Sequence, residues 1–189
     1  MKKLITIFGP GNVESDHPLY REAEQLGTLL GEAGFNVVTG GYGGVMEAAS
    51  KGAQMTGVKV IGVTAEVYFA RGREPNAFIS REIKVKSAVD RLMELIDLAD
   101  ASVAIGASPG TLIEVMTVWD YMLKNFITPR PMILVGQAWS AVAHVFDNDA
   151  LLQHHRDRLT YVPDVPGAVE LLQEHFGASD NLPELTLLQ

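Results

Sequence analysis

Two segments of small residues, each lying between a strand and a helix, are where this chain can do chemistry. The first is Gly40-Gly41-Tyr42-Gly43-Gly44. Glycine there permits tight turns and lets backbone N–H groups approach a phosphate closely. The spacing differs from the dinucleotide fingerprint, and no acidic residue stands out about 20 residues further on. Four glycines in five residues favour ligand contact over close helix packing alone. The second segment is Gly106-Ala107-Ser108-Pro109-Gly110-Thr111. The helix after it exposes unpaired N–H donors and the positive end of its dipole, and Ser108 and Thr111 add hydroxyls. Turns of this kind also occur with no ligand, so both readings stay open for this loop alone. Glu114 reads equally well as a carboxylate that stabilises a helix start by roughly 0.3–1 kcal/mol. Arg91 reads as a solvated helix charge beside Asp90 and Glu94.

Other chemistries are excluded or weakened by composition. The 189 residues hold no cysteine, which removes disulfides, thiolate nucleophiles and Cys-based metal sites. His144, His154, His155 and His175 lack metal-ligand spacing with carboxylates, and no metal is expected. His17, before Pro18, is a weaker candidate for ligand contact. Lys51, Lys84, Lys86 and Lys124 all read as solvent-facing, which disfavours a pyridoxal-phosphate Schiff base. A net charge of −8 argues against a nucleic-acid partner, since a duplex binder needs a basic face. A single phosphate remains within reach of backbone N–H groups and one arginine. The apolar run at the N-terminus breaks at Gly9-Pro10-Gly11, and no window is long enough for a membrane span. The expectation is a cytoplasmic protein with no membrane partner.

The elements that must position these loops alternate between strand and helix. Leu4–Phe8, Phe35–Val38, Val58–Val63, Ser102–Ile105 and Met132–Val135 read as buried strands, with short ones at Ile83–Val85 and Leu159–Tyr161. Helical spacing covers Pro18–Ala33, capped by Ser15 or Asp16, and Val45–Met55. It also covers Ser87–Ala99, Thr111–Asn125, Ala138–Phe146 and Val165–Phe176. Ala65–Glu82 has no clear period, and so long a loop inside a compact domain is functional or mobile. This order predicts a single-domain α/β fold over residues 1–177, with 178–189 as a C-terminal tail. Its architecture is a three-layer, Rossmann-like, doubly wound parallel sheet. Ligands of such sheets bind beyond the carboxyl ends of the strands. Trp119 and Tyr121 fit packing or subunit contact. The apolar face of Thr111–Asn125 suggests a homodimer or higher homo-oligomer, though a fully buried helix reads the same way.

Taken together, the two loops resemble those of the LONELY GUY (LOG) family and its lysine-decarboxylase-like, nucleotide-binding Rossmann relatives. The similarity runs from Ile5 to about Phe176. Gly40–Ala49 is similar to the family's glycine motif, and Gly106–Glu114 aligns with its signature Pro-Gly-Gly-x-Gly-Thr-x-x-Glu. The resemblance implies that Arg91 and Glu114 are catalytic. It further implies that Gly9, Gly40, Gly41, Gly43, Gly44, Ser108, Gly110 and Thr111 bind nucleotide or phosphate. The implied activity is that of a nucleoside 5′-monophosphate phosphoribohydrolase of the cytokinin-activating type, with no cofactor. It would release free base and ribose 5-phosphate near a dimer interface. Here Gly106-Ala107-Ser108 and Pro109 replace the family's Pro-Gly-Gly-x, and Asp90-Arg91-Leu92 replaces Glu-Arg-Lys. Those changes motivate an alternative: a non-catalytic protein that binds, senses or carries a nucleotide or phosphorylated cofactor.

Overall fold

The computed structural model describes residues 2–147 and 158–180. The chain opens with β1 (Leu4–Phe8), α1 (Pro18–Glu32), β2 (Asn36–Thr39) and α2 (Val45–Met55). It continues through β3 (Val60–Ala65), the short α3 (Glu66–Phe69), β4 (Arg81–Val85), α4 (Ala88–Asp97) and β5 (Ala101–Ile105). The described remainder comprises α5 (Pro109–Leu123), β6 (Met132–Val135), α6 (Ala138–Asp147), β7 (Thr160–Val162) and α7 (Val165–Asp180).

All strand pairs are parallel, in the order β4-β3-β2-β1-β5-β6-β7. The chain starts at the centre, winds outward to β4, then returns beside β1 and winds the other way. Loops leaving β1 and β5 therefore diverge to opposite faces and open a crevice between them, the usual ligand position in a doubly wound sheet. This is the Rossmann-like architecture expected from the strand–helix alternation.

Both faces are covered because the central strands bury alternate residues on opposite sides. On one face Ile5, Ile7, Val37, Val103 and Ile105 pack with Leu26 and Leu30 of α1, Ala48 and Ala49 of α2, and Leu172 of α7. On the other, Phe8, Val38, Val63 and Ala104 pack with Leu95 and Ile96 of α4, Val115, Val118 and Met122 of α5, and Trp139 of α6. Helices α1 and α2 approach closely at Gly27 and Gly52, where a side chain would strike the Ala49 and Glu24 carbonyls of the facing helix.

Of the boundaries that differ from the sequence-based expectation, three have a plain physical reason. His17, rather than Ser15 or Asp16, caps α1, its Nδ1 accepting from the Leu19 N–H at 3.1 Å. Helix α5 begins at Pro109, two residues before Thr111, since proline without an N–H is suited to a first helical position. Strand β4 starts at Arg81 because, as an edge strand with exposed Arg81, Glu82 and Lys84, it needs no continuous apolar run. Among the described residues no helix is long and apolar enough to cross a membrane. His154 and His155 lie outside the described residues, as do residues 181–189 of the expected tail; its first residues, 178–180, continue α7.

Candidate functional site

A cleft of about 230 Å³ opens at the carboxyl end of the sheet, where the β1 and β5 loops part. Gly9 and Gly11 of the β1 loop form part of its lining. Ser108, Gly110, Thr111 and Glu114 enter from the first turns of α5, and Arg91 from α4. The fold thus brings together Gly9, Arg91, Ser108, Gly110, Thr111 and Glu114, residues some 100 positions apart in sequence. From the Gly40–Gly44 loop the lining takes Tyr42, with Met46 just beyond it, and none of the four glycines.

Arg91 reaches the cleft because a capping box starts α4. Ser87 accepts from the Asp90 N–H at 3.0 Å, and Asp90 accepts from the Ser87 N–H at 3.1 Å. One turn on, the guanidinium is fixed from several sides. Its Nε donates to the Val63 carbonyl at 2.8 Å, and Nη2 donates to Met46 Sδ at 3.3 Å. Its carbon lies 5.4 Å from the Tyr42 ring centre and 5.6 Å from that of Tyr68, a doubled cation–π contact. A side chain on Gly40 would collide with Nη2, so that glycine makes room for the arginine. Burial pushes the Arg91 pKa below its ordinary value; the charge of Glu114 opposes this and that of Arg73 adds to it.

The α5 start is capped. Ser108 Oγ accepts from the Thr111 N–H at 3.2 Å and shares a 2.8 Å hydrogen bond with Thr111 Oγ1. Pro109 has no N–H, and the Leu112 N–H bonds the Ser108 carbonyl. The Gly110 N–H is the donor left open in this turn. Glu114, one turn further, has its pKa raised to about 7 because burial disfavours the carboxylate more than Arg91 favours it.

The glycine loop is built for close packing. The Gly44 backbone lies against Pro10 and Gly11, and the Val45 N–H at the start of α2 bonds the Pro10 carbonyl at 3.0 Å. Tyr42 is pinned at its far end, its hydroxyl accepting from the Ala65 N–H at 2.9 Å and donating to the Ala65 carbonyl at 3.2 Å.

Sequence reasoning assigned no role to Tyr68, Arg73 or Asn76, all in the segment between β3 and β4. Asn76 ties that segment to the glycine loop. Its N–H bonds the Gly41 carbonyl at 2.8 Å and its Nδ2 bonds the Tyr42 carbonyl at 3.0 Å. The missing period over Ala65–Glu82 was the available signal. His17 and the four candidate lysines do not line the cleft. Lys51 pairs with Glu24 at 2.9 Å, Lys124 pairs with Asp120 at 2.7 Å, and Lys84 sits 4.0 Å from the Phe69 ring centre.

Comparison with known proteins places this architecture. The chain is 32% identical over 114 residues to an uncharacterized protein of Archaeoglobus fulgidus, covering 60% of this chain and 72% of that one. The molybdenum cofactor binding protein of Rippkaea orientalis superposes with a TM-score of 0.75 at 24% identity, over 93% of this chain and 98% of that one. The molybdenum cofactor carrier protein of Chlamydomonas reinhardtii superposes with a TM-score of 0.72 at 25% identity, over 94% and 99%. The sequence model of the SLOG cluster4 family matches residues 2–154, and the chain belongs to that family, within the LOG/SLOG Rossmann-like superfamily.

Proposed function

We propose that the protein binds a small phosphorylated molecule in this cleft and holds it intact, as a carrier or store. The observation that supports this most is the capped first turn of α5. A hydrolase must hold phosphate rigidly so that the reacting carbon stays aligned with its carboxylate. Here Ser108 occupies a donor that a glycine would leave free, and Pro109 lacks another. What remains at this turn is the Gly110 N–H and a hydroxyl shared between Ser108 and Thr111, with the Arg91 and Arg73 guanidinium groups in the same cleft. That set suits reversible capture of a phosphate. The likeness to the Chlamydomonas reinhardtii carrier makes a molybdenum-cofactor type of cargo the first candidate.

The residues fit the phosphorylated organic part of such a cargo. Half-buried Tyr68 offers apolar surface, and Arg91 with the α5 turn offers donors. Among the described residues no His, Asp or Glu cluster suits a metal ion, and the chain has no cysteine. The protein would hold the organic part and leave the metal to that part's own ligands. At about 230 Å³ the cleft is below the roughly 300–1,000 Å³ of sites that enclose small molecules, so the cargo extends past the rim. Incubation with nucleoside monophosphates and phosphorylated pterins tests the proposal. A thermal shift with at least one ligand, and no free base from any nucleotide, is expected.

A second reading, cleavage of nucleoside 5′-monophosphates, is favoured by Glu114. A carboxyl with a pKa of about 7 is poised to give or take a proton at neutral pH, and Arg91 shares its cleft. Release of base that stops on Glu114→Gln would establish it. We also infer a homo-oligomer, supported by the exposure of Val89 and Ile113 beside Arg91 and Glu114 in sequence.

A further inference from the structure

We propose that Arg73, held over Tyr68 on the segment between β3 and β4, makes the cleft select a phosphomonoester over the same molecule without its phosphate. The inference rests on the phosphorylated-ligand reading and assigns its specificity to a residue outside both strand-to-helix loops.

Position is the first support. Arg73 lines the cleft together with Arg91, and its guanidinium carbon lies 6.0 Å from the Tyr68 ring centre. A side chain on Gly11 would come within 3.8 Å of its Nη1, so the arginine extends from its own segment toward the β1 loop. The base of the segment is anchored, since Asn76 bonds the Gly41 and Tyr42 carbonyls and its Oδ1 accepts from the Phe78 N–H at 3.1 Å. Tyr68 in turn packs edge-on to Tyr42 at 5.4 Å. The cation therefore stands on a fixed wall.

Charge is the second support. Two guanidinium groups converge on one cleft, and the charge of Arg73 acts against that of Arg91. The one carboxyl lining the cleft is Glu114, whose ionised form burial disfavours. No ion pair among the described residues includes Arg73. Like charges brought together without a fixed counter-charge are relieved by an anion arriving with the ligand. Arg91 has its Nε on Val63 and its face on two tyrosines, whereas Arg73 is exposed and has donors to offer. A guanidinium can meet two phosphate oxygens at once.

The test is calorimetric titration of two ligand pairs, guanosine 5′-monophosphate against guanosine, and 6-hydroxymethylpterin monophosphate against 6-hydroxymethylpterin. In at least one pair the unmodified protein should prefer the phosphorylated member. Arg73→Gln should reduce that preference by roughly 10–100-fold, the value of charge-assisted hydrogen bonds, with the unphosphorylated member bound much as before. Arg73→Lys should recover part of it, and the melting temperature of the free variants should match that of the parent. A preference that survives Arg73→Gln in full overturns the assignment while leaving the phosphorylated-ligand reading intact. No preference in either pair for the unmodified protein overturns both.

Discussion

The two strand-to-helix loops of this protein divide the work in a way opposite to their composition. The loop after β2 has four glycines in five residues, yet none of them lines the cleft and three, Gly40, Gly41 and Gly44, are buried against the protein's own atoms. Gly44 lies against Pro10 and Gly11, Gly41 against Gly62, and Gly40 leaves space for the Arg91 guanidinium. The loop after β5 has fewer glycines, yet it sends Ser108, Gly110 and Thr111 into the cleft. Glycine allows close approach, but it does not say whether a ligand or the protein's own backbone does the approaching. The β2 loop supports and the β5 loop faces the cleft.

The largest expected effect is at the supporting loop. Gly44 has φ 68° and ψ −135°, and a Cβ there would lie 2.5 Å from the Pro10 carbonyl oxygen. Gly44→Ala should lower unfolding free energy by about 3 kcal/mol, measured by urea denaturation. A loss below about 0.5 kcal/mol would mean that the loop is not the support described. Gly40→Ala should come next. Displacing Arg91 from the Val63 carbonyl should weaken phosphorylated-ligand binding at least tenfold, and it should raise the Glu114 pKa further by removing a nearby positive charge. NMR titration of Glu114 checks the second part.

Glu114 itself gives a pH signature. Its folded-state pKa of about 7 lies above the ordinary 4.5, so between these values the unfolded chain has lost a proton that the folded protein retains. Its contribution to stability is present below pH 4.5 and is lost as the pH rises through 7. Melting temperatures across that window should show a decline that Glu114→Gln removes. The smallest effects belong to the cleft-facing loop. A Cβ on Gly110 would meet only Ser108 Oγ, at an ordinary 3.8 Å, and the residue lies in a helix, so Gly110→Ala should stabilise by roughly 0.5–1 kcal/mol. Ser108→Gly should cost only a few tenths of a kcal/mol while freeing the Thr111 N–H, and phosphate affinity should rise. Opposite stability signs at Gly44 and Gly110 would confirm the division of roles; equal signs would erase it.

The sheet was legible because periodicity reports burial. The apolar runs at Leu4–Phe8 and Ser102–Ile105 read as buried strands; that they lie side by side at the centre, with their loops meeting where the winding reverses, is what the fold adds. The clustering of Arg91, Ser108, Thr111 and Glu114 was legible through family resemblance, since neither Arg91 nor Glu114 stands out by composition. The opposing wall was not. Tyr68 and Arg73 reach the cleft because Asn76 hydrogen-bonds to the glycine loop, a long-range contact with no local period. His17 as a cap was hidden for a related reason, because Ser15 and Asp16 match the usual preferences and the fold places the first turn beyond them.

Binding without turnover is tested most directly by one measurement. The purified protein is saturated with a nucleoside 5′-monophosphate or phosphorylated pterin that shifts its melting temperature, held at neutral pH for hours, and the ligand is then analysed. The ligand should be recovered whole and remain exchangeable. Accumulation of free base and ribose 5-phosphate beyond one equivalent, abolished by Glu114→Gln, would contradict this and make the cleft a phosphoribohydrolase site.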